Sequence, residues 1–130
     1  MIQGSCLCKT VTYQVEEDVT ELVFCHCSYC RKATASAYSV NAKISKENFR
    51  LLSGEETLTT YQSSVGKMRY YCSKCHSQIF HLQDSVPNQI TLKMGTVDTA
   101  DQNLESVPVR HIFEDSSFTW LGIGATKENL

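Results

Sequence analysis

Seven cysteines are the residues of this chain best suited to do chemistry, and they fall into three groups. The groups are Cys6-x-Cys8, Cys25-x-Cys27-x-x-Cys30 and Cys72-x-x-Cys75. A C-x-x-C turn brings two thiolates onto one metal ion, and in C-x-C the two side chains leave the same face of an extended chain. An odd number of cysteines cannot all pair as disulfides, so the clustering predicts a metal framework, and zinc in particular.

The number of cysteines predicts two kinds of site. Two cysteine pairs complete a tetrahedral site of four thiolates, and three cysteines then remain. Zinc with three protein ligands and a fourth position for water or substrate is the arrangement of catalytic rather than structural zinc. We therefore predict two zinc ions per chain, one in a closed site and one in an open site. Spacing alone leaves open which pairs share an ion.

The segments that must position the first two cysteine groups read as short strands. Val11, Tyr13 and Val15 alternate with polar residues, which predicts a half-buried strand, and a second run extends from Thr20 to Phe24. A hairpin centred between Glu17 and Asp18 would place the apolar side chains of both runs on one face. The opposite face would then carry Cys6, Cys8, Cys25 and Cys27. This register keeps a rival grouping open, in which the first two cysteine groups share an ion.

The rest of the chain also reads as strands separated by turns. A second hairpin is predicted from Phe49–Leu52 and Thr57–Gln62, followed by strands at 67–71, 79–82 and 89–94. In the last strand the pattern predicts Ile90, Leu92 and Met94 inward, and Thr91 and Lys93 outward. One short helix is predicted from about Arg31 through Ala37. The predicted class is mainly β with short helical segments.

Length and composition bound the class of protein. With 130 residues the chain has room for one ordinary domain, and 42% hydrophobic and 20% charged residues are typical of a globular protein. A net charge of -2 offers nothing to nucleic acid or to an anionic membrane surface. No signal peptide or membrane span is apparent after Met1, so we expect a cytoplasmic protein with reduced cysteines. Monomer and homodimer both remain open.

Several motifs together resemble one known family. They are Gly4-Ser5-Cys6-Leu7-Cys8, the run from Cys25 to Ala33, the run from Phe49 to Glu55, Cys72 to Cys75, and His111-Ile112-Phe113. This combination is similar to the glutathione-dependent formaldehyde-activating enzyme family, which also includes centromere protein V. The resemblance implies a zinc-binding β-tent (Mss4-like) domain over residues 1–124, followed by a tail at 125–130.

The same resemblance implies which cysteines share an ion and what they do. It assigns Cys6, Cys8, Cys72 and Cys75 to the closed structural site, and Cys25, Cys27 and Cys30 to the open catalytic site. The activity it implies is that of a carbon-sulfur lyase, which joins glutathione and formaldehyde into S-hydroxymethylglutathione. Two positions depart from the family pattern, because Lys9 and His76 stand where glycine is usual. Glycine tolerates positive φ at little cost, so we predict a strained turn at His76.

The charge of the open site indicates its chemistry. Three thiolates and one zinc ion carry about -1 in total, and a thiol held there as a thiolate could attack an aldehyde carbon to form a hemithioacetal. The partners expected are therefore a small-molecule thiol, glutathione or a related one, and an aldehyde. Arg31 and Lys32 lie beside the open cluster, where they could hold a substrate carboxylate or offset the thiolate charge.

Whether the second site is open depends on whether a histidine supplies its fourth ligand. His26 lies between two cysteines and should point away from their metal. A fourth ligand from His76, His81 or His111 would instead turn the second site into a structural one. The competing class of function is then a zinc-stabilised protein-binding module without catalytic activity.

Overall fold

The computed structural model describes residues 1–122, in which eleven strands form two sheets. The strands are β1 (Ile2–Ser5), β2 (Thr12–Val15), β3 (Leu22–Cys25), β4 (Ser39–Ser45), β5 (Phe49–Ser53), β6 (Leu58–Ser64), β7 (Lys67–Cys72), β8 (Gln78–Gln83), β9 (Gln89–Lys93), β10 (Val97–Ala100) and β11 (Val109–Ile112). One α-helix, α1, spans Ser28–Thr34, and single 3-10 turns occur at Lys46–Asn48, Glu55–Thr57, Met94–Thr96, Leu104–Ser106, Glu114–Ser116 and Thr119–Leu121. The predicted mainly β, Mss4-like class is confirmed, and the predicted tail at 125–130 lies outside the described residues.

The two sheets share one apolar core. The smaller sheet has the strand order β10-β1-β2-β5, and the larger one β11-β3-β4-β9-β8-β7-β6. Neighbouring strands are antiparallel, with the exception of the parallel pair β11 and β3. Phe49 of the smaller sheet packs against Phe80 of the larger one, with ring centroids 5.2 Å apart. Tyr13 stacks on the same Phe49 ring at 5.3 Å, so aromatic side chains fill the space between the sheets.

The predicted hairpin of the first two strands is wrong. β2 pairs with β1 and β5, whereas β3 lies in the other sheet between β4 and β11. The buried residues of β3 are Val23 and Cys25, the face opposite to the one predicted. Tertiary packing overrides the short connection, since each strand has other strands paired to both of its edges.

The second predicted hairpin is also wrong. β5 pairs with β2, and β6 pairs with β7 in the other sheet. Gly54, between them, has φ of 82°, and a Cβ there would clash with the carbonyl oxygen of Thr10. Glycine at this position therefore lets the chain cross from one sheet to the other beside the first cysteine loop.

Two local predictions also need correction. Thr91 and Lys93 of β9 are buried, at 7% and 4% exposure, because this strand lies in the middle of the larger sheet with both faces covered. The helix begins earlier than predicted, at Ser28, and ends at Thr34, since Ala35 adopts the left-handed conformation with φ of 52°. In residues 1–122 no helix is long and apolar enough to span a membrane.

Candidate metal centres

Four cysteine sulfurs converge in the first cluster. The Sγ atoms of Cys6, Cys8, Cys72 and Cys75 all lie within 4.8 Å of one another. Cys8 Sγ is 3.6 Å from that of Cys6 and 3.8 Å from that of Cys72. A tetrahedron with metal–sulfur bonds of about 2.3 Å has edges of about 3.8 Å between sulfurs. The donor set therefore fits a zinc ion, and it is the grouping that the family resemblance implied.

Two loops that share one backbone hydrogen bond build this cluster. The Cys6 N–H donates to Val11 O at 3.0 Å, and the Cys72 N–H donates to Ser77 O at 3.0 Å. The sulfurs also accept backbone donors: Val11 N–H lies 3.3 Å from Cys6 Sγ, and Lys74 N–H lies 3.4 Å from Cys72 Sγ. Such donors stabilise thiolate charge, as expected for knuckle loops that hold a metal.

The first cluster also joins the two sheets. Cys6 and Cys8 follow β1 of the smaller sheet, whereas Cys72 ends β7 of the larger sheet and Cys75 lies in the turn after it. Cys6 and Cys72 are buried members of the apolar core. Burial raises the pKa of Cys6 to about 11, so a metal is needed to keep this sulfur ionised at neutral pH. A metal here would cross-link the halves of the molecule.

Each loop contains a residue with positive φ at a position where the family that the sequence resembles usually has glycine. Lys9 and His76 both have φ of 64°. The left-handed conformation costs an ordinary residue about 1–2 kcal/mol, and the predicted strain at His76 is therefore confirmed.

Replacing His76 with glycine should stabilise the protein. His76 is exposed, so His76→Gly removes no buried contact and relieves the left-handed strain. We expect a gain of about 1 kcal/mol, after subtracting the entropy that glycine adds to the unfolded chain. The free energy of unfolding from denaturant titration measures it. Lys74→Gly is the matched control, because Lys74 is exposed in the same turn without positive φ and should lose stability. Destabilisation by both changes would contradict the strain argument.

Three sulfurs form the second cluster. Cys25 ends β3, Cys27 precedes α1, and Cys30 lies in the first turn of that helix. Their Sγ atoms lie within 4.8 Å of one another, with 3.5 Å between Cys25 and Cys27. Cys27 Sγ also caps α1, because it accepts the Cys30 N–H at 3.3 Å. Within residues 1–122 no histidine or carboxylate joins these three sulfurs, and the rival grouping of Cys6 and Cys8 with Cys25 and Cys27 is wrong.

The three thiols of the second cluster do not ionise alike. The hydrogen bond from Cys25 lowers the pKa of Cys30 to about 4. Hydrogen bonds with Cys27 and Arg69 lower it less, and burial acts in the opposite direction. The same contact with Cys30, together with burial, raises the pKa of Cys25 above that of an ordinary thiol. One sulfur is therefore anionic at neutral pH, and a divalent cation would allow the other two to follow.

The histidines near the second cluster bind each other. His26 is fully buried, and its Nε2 lies 2.9 Å from Nδ1 of His111. The backbone N–H of His26 donates to Ile112 O at 3.1 Å, so the His111-Ile112-Phe113 motif at the end of β11 holds the segment between the cysteines in place. Neither these two histidines nor His76 or His81 belongs to a cysteine cluster.

The two basic residues predicted beside the open cluster have different surroundings. Lys32 lines a cleft of about 470 Å³ between α1 and the strands β6 and β7. Arg31 points elsewhere, since its guanidinium lies 4.2 Å from the centre of the Phe118 ring and its Nε donates to His26 O at 3.2 Å. The cleft also contains Ser28, Tyr29, Ser63, Arg69 and Tyr71.

Sequence reasoning missed Arg69. This side chain is fully buried, lines the cleft, and places its Nη2 at 3.8 Å from Cys30 Sγ. Arg69 alternates with Lys67 and Tyr71 along β7, and this pattern is typical of a solvent-facing strand surface. The sequence contains no signal that distinguishes this arginine from an exposed one.

Comparison with known proteins supports the fold and the family. A crystal structure of a Rhodobacter sphaeroides protein matches 83% of this chain and 99% of that chain, at 24% sequence identity and a TM-score of 0.65, and so shares the fold. The family model described as glutathione-dependent formaldehyde-activating enzyme matches residues 1–116. That range includes both cysteine clusters and the cleft beside the second one. The chain belongs to the glutathione-dependent formaldehyde-activating enzyme family.

Proposed function

We propose that the protein is a zinc-dependent carbon-sulfur lyase that acts on a glutathione-like thiol and an aldehyde, or on their adduct. The observation that carries this proposal is the second cluster, where residues 1–122 supply three cysteine sulfurs and no fourth donor. A closed structural site needs four ligands, whereas a catalytic site leaves one position for water or substrate. Family membership supports the same class of reaction.

The residues present fit one zinc ion in each cluster. Cys6, Cys8, Cys72 and Cys75 would hold a structural ion, and Cys25, Cys27 and Cys30 would hold a catalytic one. A zinc ion in the second cluster would supply a positive charge that keeps a substrate thiol ionised and polarises an aldehyde carbonyl. The thiol then loses its proton to solvent, its sulfur forms the bond to the carbonyl carbon, and the oxygen takes up a proton. The reverse reaction breaks that bond and releases the aldehyde.

The cleft beside the second cluster can bind the rest of a glutathione-like thiol. Lys32 is exposed at the cleft and can pair with a substrate carboxylate, while Arg69 provides a buried positive charge deeper inside. The Ser28 and Ser63 hydroxyls and the Tyr29 ring offer polar and stacking contacts to a peptide backbone. Arg31 supports the site indirectly, because it secures the backbone of His26. A reducing compartment such as the cytoplasm would keep the clusters available for metal.

A direct test is the exchange of the thiol–aldehyde adduct on the zinc-loaded protein. Two-dimensional exchange NMR measures how fast S-hydroxymethylglutathione forms and dissociates above the uncatalysed rate in buffer. We expect acceleration by the parent protein and a loss of about threefold in Lys32→Ala, since one solvent-exposed carboxylate contact is removed. Lys46→Ala, an exposed lysine after β4, is the matched control and should retain the parent rate.

The outcome also separates an enzyme from a binding module. No acceleration, together with no thiol binding at a fully loaded second cluster, would favour a zinc-stabilised protein-binding module over the enzyme.

A further inference from the structure

Arg69 is a buried cation without a carboxylate partner in the described part of the chain. Its side chain has 0% exposure, and its Nε donates to Ser63 Oγ at 2.8 Å and its Nη1 to Gln78 Oε1 at 3.0 Å. The third contact is Nη2 to Cys30 Sγ at 3.8 Å. A buried charge is expensive unless it is paired, and the sulfur of Cys30 is the anion in reach. The guanidinium and the second cluster therefore stabilise each other.

Lys93 is a second buried cation close to the same cluster. It is 4% exposed, and its Nζ donates to Asn41 Oδ1 at 2.8 Å. Asn41 in turn donates to Ser39 Oγ at 2.9 Å, and Ser39 faces Cys25 across the ladder of β3 and β4. Burial lowers the pKa of Lys93 to about 7, while the negative charge of Cys30 acts in the opposite direction. Lys93 is therefore partly protonated at neutral pH, and the negative charge of Cys30 and Cys25 favours its charged form.

We propose that Arg69, together with Lys93, is a positioning residue that makes the second cluster select a fourth ligand that binds as an anion. Three thiolates and a divalent cation sum to about -1, Arg69 offsets that charge, and Lys93 brings the site to about +1 when it is protonated. A thiolate in the fourth position then makes the buried site neutral, whereas water or a neutral nitrogen ligand leaves one positive charge uncompensated. This inference rests on the proposed function and assigns the source of its preference for thiols.

Other charged and titratable groups around the cluster do not provide this balance. They are Arg31 and Lys32 on α1, His26 between the cysteines, Lys67 on β7, His81 on β8, His111 on β11 and Glu114 beyond it. Lys67 is partly exposed, and burial lowers the pKa of His81 to about 2, so that imidazole is neutral. Lys32 is exposed, so water screens its charge from the cluster. Arg31 stacks on Phe118, so its guanidinium is directed away from the cluster. His26 and His111 are paired with each other, and burial lowers the pKa of His26. Arg69 and Lys93 are the buried cations of this environment within residues 1–122.

Two probes of opposite character test the proposal on the zinc-loaded protein. 2-Mercaptoethanol has no carboxylate, so a change in its binding cannot come from a lost contact to the cleft, and imidazole is a neutral ligand. Isothermal titration calorimetry in buffers of different ionisation enthalpy gives both the affinity and the protons released. We expect Arg69→Met to bind 2-mercaptoethanol about tenfold more weakly at neutral pH, and imidazole within about twofold of the parent. Arg50→Met, an exposed arginine on β5, is the control and should match the parent for both probes.

The outcomes are distinct. Selective loss of thiolate binding supports the proposal. Equal binding of 2-mercaptoethanol by the parent and Arg69→Met overturns this inference and leaves the proposed function standing. Equal weakening of both probes also overturns it, since that result indicates a purely structural role. If Arg69→Met does not fold, Lys93→Met removes the second charge and is judged by the same criteria. No thiol binding by the parent protein would overturn the proposed function and this inference with it.

Discussion

Cys72→Ala should leave the protein largely unfolded at about physiological temperature. Cys72 is fully buried in the core and belongs to the cluster that joins the two sheets. A structural zinc site contributes about 10–16 kcal/mol to the folded state of a small domain. Net stability is usually about 5–15 kcal/mol, so weakening this metal removes a large share of it. A thermal melt with zinc analysis of the soluble fraction measures the effect.

A control separates the metal from the neighbouring turn. Lys74→Ala retains the backbone N–H that donates to Cys72 Sγ and changes only an exposed side chain. It should therefore melt at the parent temperature. Chelation of both metals from the parent protein should reproduce the Cys72→Ala melt. A Cys72→Ala protein that melts with the parent would show that the two sheets hold together without the first cluster.

The number and spacing of the cysteines predicted the two metal clusters. Four and three cysteines were predicted for a closed and an open cluster, and the structure groups the sulfurs in that way. The pairing of Cys6 and Cys8 with Cys72 and Cys75 came from family resemblance, because spacing is a local property and these pairs are more than 60 residues apart. Only tertiary folding brings such distant turns together.

Strand pairing could not be predicted from local patterns. The alternation from Val11 to the end of β2 indicated correctly that Val11, Tyr13 and Val15 are buried. Alternation identifies a buried face but not the sheet that covers it, and the short connection between β2 and β3 suggested a hairpin that does not exist. The chain instead moves from one sheet to the other between these strands.

Buried cations were the other feature beyond the reach of local patterns. Arg69 and Lys93 alternate with apolar residues, which normally indicates a surface exposed to water. In the folded chain both are buried near the sulfurs of the second cluster. Their positions are explained by charge, since a thiolate cluster can compensate cations that an apolar core would exclude. The family motif locates the cysteines, and the surrounding charges have to be read from the structure.

Cys27→Ala should keep the fold and the first metal while it loses the second metal and all carbon-sulfur activity. The second cluster joins only β3 and the adjacent helix, so its metal cross-links little distant chain. Cys27 does not contact Arg69, and Cys30 remains to balance that buried charge. The expected cost in stability is about 1–2 kcal/mol, because the Cys27 sulfur also caps α1. Elemental analysis should fall from two zinc ions per chain to one.

The comparison between the two cysteine variants is the decisive part of this measurement. Both changes remove one sulfur, yet Cys72→Ala breaks a link between two sheets and Cys27→Ala breaks a local one. Melting temperature and zinc content should therefore separate them, with Cys27→Ala soluble and retaining one ion. The adduct-exchange rate of Cys27→Ala should equal that of buffer. If instead both variants lose the same stability, the second cluster is a structural centre and its three-sulfur geometry does not indicate catalysis.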